Sequence, residues 1–248
     1  MTLSMPTHNC LFHLFCKSEG IGMITVSNLT KNFVLHNQNS AVIPVMVKAS
    51  LDVKAGECVA LIGQSGAGKS TLMRMIYGNY LAQDGDIWIG KTNVVGASAR
   101  DIISLRRETL GYVSQFLRVV PRVATRDVVA EPLMALGVDP SIARQRAENI
   151  LSLLNIPERL WNLSPTTFSG GEQQRVNIAR GFVYEYPAIL LDEPTASLDA
   201  VNRSVVLELI ERAKSRGAAI VGIFHDESAR AQVCDREIDV SAFAPQVN

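Results

Sequence analysis

No stretch of this chain approaches the roughly 20 consecutive apolar residues that a membrane-spanning helix needs, so any membrane role requires a partner. Nor is either charge in excess: 24 Lys and Arg balance 24 Asp and Glu. That balance excludes the electrostatic footprint of a nucleic-acid or anionic-lipid binder. Cysteine is scarce, with Cys10, Cys16, Cys58 and Cys234 as the full set. Their spacing builds no disulfide framework, which points to a reducing, cytoplasmic setting. Internal repeats and low-complexity tracts are both missing, which sets aside repeat arrays and linker-like chains. The first 22 residues lack the basic start and uninterrupted apolar stretch of a secretory signal. Their His8, Cys10, His13 and Cys16 match no standard zinc spacing, so the segment reads as a poorly ordered extension. Met23 opens the first strand pattern and stands as an alternative initiator.

What is present suffices for a sizeable core: of 248 residues, 47% are hydrophobic and 19% charged, as in an ordinary globular protein. The pattern predicts short β segments at Ile24–Leu29, Ala41–Val47, Ala49–Val53 and Cys58–Ile62, with Gly56 turning the chain into the last. A helix is expected over Thr71–Tyr80, a turn at Asp84-Gly85-Asp86, a strand at Ile87–Ile89 and a helix over 98–109. Between Phe116 and Phe168 helical segments predominate, at about 126–136 and 140–155, punctuated by Pro121, Pro140, Pro157 and Pro165. That stretch reads as a helical insertion in an α/β domain. Next, a helix over 170–184 sets Val176, Ala179 and Val183 at core spacing, and Pro187 releases the apolar strand Ala188–Leu191. A helix at about 201–215 and a strand at Ala219–Phe224 complete the pattern. Such alternation predicts a parallel sheet covered on both faces.

The residues that carry chemistry begin at Gly63. Gly63-Gln64-Ser65-Gly66-Ala67-Gly68-Lys69-Ser70-Thr71 fits the phosphate-loop pattern G-x-x-x-x-G-K-[ST] in full. It follows an apolar strand and precedes a helix, which is the context the motif requires. Glycines let the backbone wrap a phosphate with N–H groups pointing inward, and the helix N-terminus adds about half an elementary positive charge. Lys69 can neutralise the β and γ phosphates, and the Ser70 hydroxyl can ligate Mg²⁺. A second apolar strand ends in Asp192 and Glu193. In a doubly wound sheet that strand end faces the same crevice as the loop. Asp192 can then hold Mg²⁺, directly or through water, and Glu193 can polarise an attacking water as general base. ATP and Mg²⁺ are the ligands this pair of motifs calls for.

Between the two halves lies Phe168-Ser169-Gly170-Gly171-Glu172-Gln173-Gln174-Arg175. Alone, Ser-Gly-Gly at a helix start is only an anion-friendly N-terminus. With both phosphate elements in place it closely resembles the ABC-family signature, usually Leu-Ser-Gly-Gly-Gln, with Phe168 and Glu172 at the outer positions. The resemblance covers Met23 to about Val240 and continues in order. Gln115 matches the Q-loop glutamine, Ser197-Leu198-Asp199 the D-loop and His225 the switch histidine. Phe33 stands where the family places an aromatic residue on adenine. The resemblance implies an α/β fold: a P-loop NTPase ABC nucleotide-binding domain with a RecA-like parallel-sheet core, an N-terminal antiparallel β subdomain and a helical subdomain. The domain would span residues 23–240, its helical subdomain about 116–168, with 1–22 an extension and 241–248 a tail. It also implies a Mg-dependent ATPase that works as a dimer, with ATP on one subunit sandwiched against Ser169, Gly170, Gly171 and Glu172 of another. Gln115 and His225 would sense the γ-phosphate, Glu193 would activate water, and Ser70, Gln115 and Asp192 would hold the metal.

A narrower likeness lies outside this shared core. Phe33-Val34-Leu35-His36, Val113–Val119, Pro157–Trp161 and Gly217–Glu227 look like the PhnL family of ABC-type subunits from the bacterial carbon–phosphorus lyase system for phosphonate use. That implies a cytoplasmic subunit paired with a related ABC subunit or itself, on lyase core subunits, with no nucleic acid and no direct membrane insertion. Phe116–Arg122 would be its coupling surface. One rival expectation is the ATPase of a membrane importer for phosphonate or another solute, which would share every nucleotide-binding residue. Another is a non-catalytic ATP-gated assembly module, which intact Glu193 and His225 argue against. A kinase-like P-loop enzyme would have no use for residues 168–172.

Overall fold

The computed structural model describes residues 22–35 and 41–245. The expectations placed on His8, Cys10, His13, Cys16 and His36 lie outside the described residues. Two sheets organise the rest. β1 (Ile24–Leu35), β2 (Ala41–Val53), β4 (Asp84–Ile89) and β5 (Thr92–Asn93) form an antiparallel sheet in the order β2-β1-β4-β5. β3 (Cys58–Ile62), β6 (Leu110–Val113), β7 (Ala188–Asp192), β8 (Ala219–Ile223) and β9 (Arg236–Asp239) form a parallel sheet in the order β6-β7-β8-β3-β9.

The parallel sheet is covered on both faces, as its unbroken apolar strands require. Alternate residues feed two cores: Cys58, Ala60, Ile189, Leu191 and Ile220 face one, and Val59, Leu61, Ala188, Leu190 and Val221 the other. The second core is closed by the inner face of the antiparallel sheet and by α1 (Lys69–Ile76) and α2 (Ala99–Glu108). The first is closed by α3 (Thr125–Ala135), α4 (Pro140–Leu153), α5 (Glu158–Trp161), α6 (Gly170–Phe182), α7 (Ala200–Ser215) and α8 (Glu227–Val233). An eight-residue helix such as α1 is marginal alone. Burial of Leu72, Met73, Met75 and Ile76 holds it, at roughly 1.5–3 kcal/mol per side chain.

Several expected boundaries move, each for a local reason. The helix expected at Thr71–Tyr80 starts at Lys69 and stops at Ile76, because Gly78, in the left-handed region at φ 75°, turns the chain away. The segments expected at Ala41–Val47 and Ala49–Val53 are one strand, and the gap between them is Lys48 at φ 51°. Its backbone N–H donates to Thr30 Oγ1 at 3.2 Å, so the irregularity leaves no orphan donor. Asp84-Gly85-Asp86 is strand rather than turn, pairing Asp84 with Thr30 and Asp86 with Ser27 across an irregularity in the register. Gly85 sits there at φ 89°, and a Cβ on it would meet the Ser27 carbonyl oxygen at 2.5 Å. We therefore expect Gly85→Ala to destabilise the fold by about 2–4 kcal/mol, from the strained φ plus the backbone clash. A thermal melt measures this, and an unchanged midpoint would show that the irregularity relaxes freely.

Candidate active site

Because β3, β6, β7 and β8 run parallel, their C-terminal ends lie along one edge of the sheet. The residues that follow them are Gly63, Ser114-Gln115, Glu193 and Phe224-His225. Four motifs separated by up to 162 positions in sequence (63 to 225) are thereby brought into one row.

At one end of the row α1 opens straight from the glycine loop. Gly63, Gly66 and Gly68 all have positive φ, at 130°, 84° and 98°. At Gly63 a side chain would also strike Ser241 Oγ at 2.8 Å. Gly68 caps α1 without any side-chain hydrogen bond, and the first turn carries no acid. Among the α-helices of the described residues, α1 alone has neither device. Its first N–H groups and its dipole are left open to an anion. The Lys69 ammonium meanwhile folds back on the loop, donating to the carbonyls of Gly63 at 2.6 Å and Gln64 at 3.0 Å. Ser70 lies exposed in the same first turn.

Two strands away, Asp192 ends β7 and is buried. Burial pushes its carboxyl up from the ordinary value, against the hydrogen bond from Tyr112, while the neighbouring charge of Glu193 pushes the same way as burial. Tyr112 OH donates to Asp192 Oδ2 at 3.2 Å from β6. Glu193 follows in the left-handed region at φ 55°, an unusual conformation for a non-glycine residue. It is held by its own N–H donating to Ile223 O at 3.0 Å and by Gln174 Nε2 donating to its carbonyl at 3.3 Å. Both carboxylate oxygens have partners: His225 Nε2 at 2.7 Å from Oε1, and Gln115 Nε2 at 3.3 Å from Oε2. The three residues expected to act on the γ-phosphate thus meet directly.

The signature segment forms a capping box at the start of α6. Glu172 Oε2 accepts from Ser169 N at 2.9 Å and from Ser169 Oγ at 2.7 Å. These bonds from the Ser169 side chain and backbone hold the Glu172 carboxyl below the usual range. Gly170 has open space around it, and a Cβ at Gly171 would lie 3.1 Å from Ser197 O, so signature and D-loop touch within one subunit. Ser197 is at φ 61°, Leu198 is buried, and Asp199 caps α7 by accepting from Asn202 N at 2.8 Å. Phe33 stands apart from this row. Its ring packs edge-on against Tyr80 at 5.4 Å, with the Lys31 ammonium 4.9 Å above it. It pairs with Ile43, two residues from Val45, whose Cγ1 lies 3.2 Å from the point where a Gly68 Cβ would stand.

Sequence reasoning missed Tyr112, Gln174 and Asn177 as neighbours of these residues. Gln174 and Asn177 were within reach: two buried amides at i, i+3 on the signature helix need partners, and find them in the carbonyls of Glu193, Pro194 and Ser114.

An anion-ready helix N-terminus with its lysine, aligned with a buried aspartate and a carboxylate-bearing turn, defines a P-loop nucleoside triphosphatase. Residues 46–196 match the ABC transporter family. The chain is 34% identical over 207 residues to the ABC transporter ATP-binding protein YtrE of Bacillus subtilis, covering 83% of this chain and 89% of that one. It is also 34% identical over 218 residues to the macrolide export ATP-binding/permease protein MacB of Psychrobacter arcticus, but spans only 32% of that longer protein. Its fold matches a dimeric structure of the ATP-binding cassette MJ0796 in a post-hydrolysis state bound to ADP and Pi, with TM-score 0.80 and 26% identity over 88% of this chain and 95% of that one. The chain belongs to the ABC transporter family and is an ABC-type ATPase. Lys69→Ala should then cost about 1.5–3 kcal/mol of nucleotide affinity, roughly ten- to a hundredfold in Kd, by removing a charge-assisted contact. Equilibrium binding of a fluorescent ATP analogue measures this, and unchanged affinity would remove Lys69 from the phosphate site.

Proposed function

We propose that this chain is the ATPase subunit of a carbon–phosphorus lyase assembly for phosphonate catabolism, coupling ATP-driven dimerisation to remodelling of that assembly. The observation that carries the proposal is the likeness of Val113–Val119, Pro157–Trp161 and Gly217–Glu227 to the PhnL family, in stretches that reach beyond the shared nucleotide-binding residues. Residues 23–240 would be the cassette, 116–168 its helical subdomain, and 1–22 and 241–248 appendages, in a cytoplasmic setting. The dimer partner would be a related ABC subunit or a second copy. Lyase core subunits would take the surface from Phe116 to Arg122, where Phe116 and Val120 are 69% and 71% exposed. Large apolar side chains left in water directly after Gln115 suit a contact that reports on the site.

In this reading Gly63–Thr71 cradle the phosphates and Phe33 faces adenine. Ser169, Gly170, Gly171 and Glu172 of one subunit close over ATP held by the other, with Ser197–Asp199 at the join. Ser70, Gln115 and Asp192 offer only oxygen donors, which fits a hard cation such as Mg²⁺, and buried Asp192 supplies the charge. When bound, Mg²⁺ neutralises charge on the phosphate oxygens. Glu193 takes the proton of the attacking water, while Gln115 and His225 fix the direction of its carboxylate. Closure of the join excludes water and strengthens each fixed N–H against developing phosphate charge.

A second reading, the ATPase of a membrane transporter for phosphonate or another solute, is favoured by the names of the relatives at 34% identity. Co-expression of this chain with lyase subunits and with permease subunits separates the two. Recovery with soluble lyase subunits supports the proposal, and recovery with a permease alone overturns it. Glu193→Gln should keep ATP, stabilise the dimer and lower kcat by roughly 10²–10⁴-fold, as expected for loss of a general base. Single-turnover hydrolysis at wild-type rate in that variant would remove Glu193 from the role of base.

A further inference from the structure

We propose that Arg203 is a positioning residue whose ion pair with Asp226 ties the loop carrying His225 to the first turn of α7, and so to Ser197–Asp199. The inference rests on the reading above, in which Glu193 and His225 serve hydrolysis. His225 needs such support. Its side chain is 72% exposed, so packing does not hold the ring, yet Nε2 sits 2.7 Å from Glu193 Oε1. The backbone on either side must set that distance.

Asp226, the next residue, does two things with two oxygens. Oδ1 accepts from Ser228 N at 2.9 Å, Ser228 Oγ at 2.7 Å and Ala229 N at 3.2 Å, which caps α8. Oδ2 instead meets Arg203 Nη1 at 2.9 Å. The Ser228 hydroxyl first, then the Ala229 N–H, hold this carboxyl below its ordinary range, and the charge of Arg203 adds to them. It is therefore ionised and available to pair throughout the neutral range.

The other end of the pair is anchored as firmly. Arg203 N donates to Asp199 O at 2.9 Å, and Asn202 N and Nδ2 donate to the Asp199 carboxylate at 2.8–3.0 Å. Asn155, at the end of the α4 layer, donates from Nδ2 to Asn202 Oδ1 at 3.1 Å. The guanidinium Nε of Arg203 is buried and has no hydrogen-bond partner of its own, so Asp226 is the polar partner that the head does have. Glu193, Ser197, Arg203, His225 and Asp226 all line one cleft of about 210 Å³. A contiguous path of hydrogen bonds thus joins the helical layer, the D-loop and the switch histidine, with the Arg203–Asp226 pair as its last link.

The pair is 37% and 28% exposed, a setting where an ion pair adds little to folding. Its removal leaves the fold in place, so an effect on turnover reads placement of His225. The test compares Arg203→Ala, Arg203→Lys, Asp226→Asn and the double variant Arg203→Ala/Asp226→Asn in the full chain, within whichever complex hydrolyses ATP. Asp226→Asn keeps the Oδ1 acceptor that caps α8 and loses only the charge, so it decides the matter should Arg203→Ala fold poorly. Arg203→Ala and Asp226→Asn should each lower kcat roughly tenfold with KM for ATP within about twofold, and the double should fall no further, the behaviour of one coupled unit. Arg203→Lys should recover at least about half of the lost turnover, since the charge returns on a different head group. Unchanged kcat in both Arg203→Ala and Asp226→Asn, or losses that multiply in the double, would overturn the inference. Glu193→Gln serves as the control. If it is inactive while the Arg203 and Asp226 variants turn over normally, this inference alone fails; if it is fully active, the reading beneath it fails.

Discussion

The parallel pairing of β3 with β8, β8 with β7, and β7 with β6 is the constraint on which the rest of this molecule depends. Parallel strands end on the same edge of their sheet, and each loop that leaves that edge starts within one or two strand spacings, about 5–10 Å, of the next. The glycine loop, Gln115, Glu193 and His225 are neighbours for that reason and no other. Apart from Tyr112 and Asp192 near the strand ends these strands are apolar on both faces, so both faces of the sheet have to be covered. The antiparallel sheet with α1 and α2 does this on one face, and the helices from α3 to α8 on the other.

Along that edge the protein departs from its own habits. Elsewhere helix N-termini are closed by Ser98, Asp139, Ser169, Asp199 and Asp226, or, in α3 and α5, carry an acid in the first turn. At α1 the cap is glycine and the N–H groups are left free. Glu193 and Ser197 occupy left-handed backbone positions, each costing on the order of 1–3 kcal/mol, and they lie within five residues of each other beside the cleft. The compensation is local and polar: Ile223 O, Gln174, Gln115 and His225 all converge on Glu193. A carboxylate with both oxygens engaged has one orientation, as the proposed role of general base would require.

Much of the site was legible because its chemistry is contiguous. Gly63–Thr71 and Ala188–Glu193 are short runs in which residue type, spacing and flanking strand all agree. The helical segments between Phe116 and Phe168 and the strands β3, β7 and β8 were legible from hydrophobic period, whereas β6 was not. What escaped were pieces whose meaning depends on a distant neighbour. Asp84-Gly85-Asp86 has the composition of a turn, yet its glycine serves a close approach to Ser27 and Asn28 inside a strand pair. β9 is four residues of alternating exposure at a sheet edge, too short and too polar to announce itself. Tyr112 lies in β6, a four-residue strand that the pattern did not announce, and gains its meaning only when Asp192 is set beside it.

The sequence by itself therefore determined the phosphate loop, the acid-tipped strand, the signature segment and the order in which they occur. Hydrophobic period and glycine placement act over a few residues and need no partner to be read. The tertiary structure alone decided which side chains meet: His225 and Gln115 on Glu193, Tyr112 on Asp192, and Arg203 on Asp226. Each of those contacts spans 23 to 80 residues of chain, and its length is set by strand order and helix packing rather than by anything local.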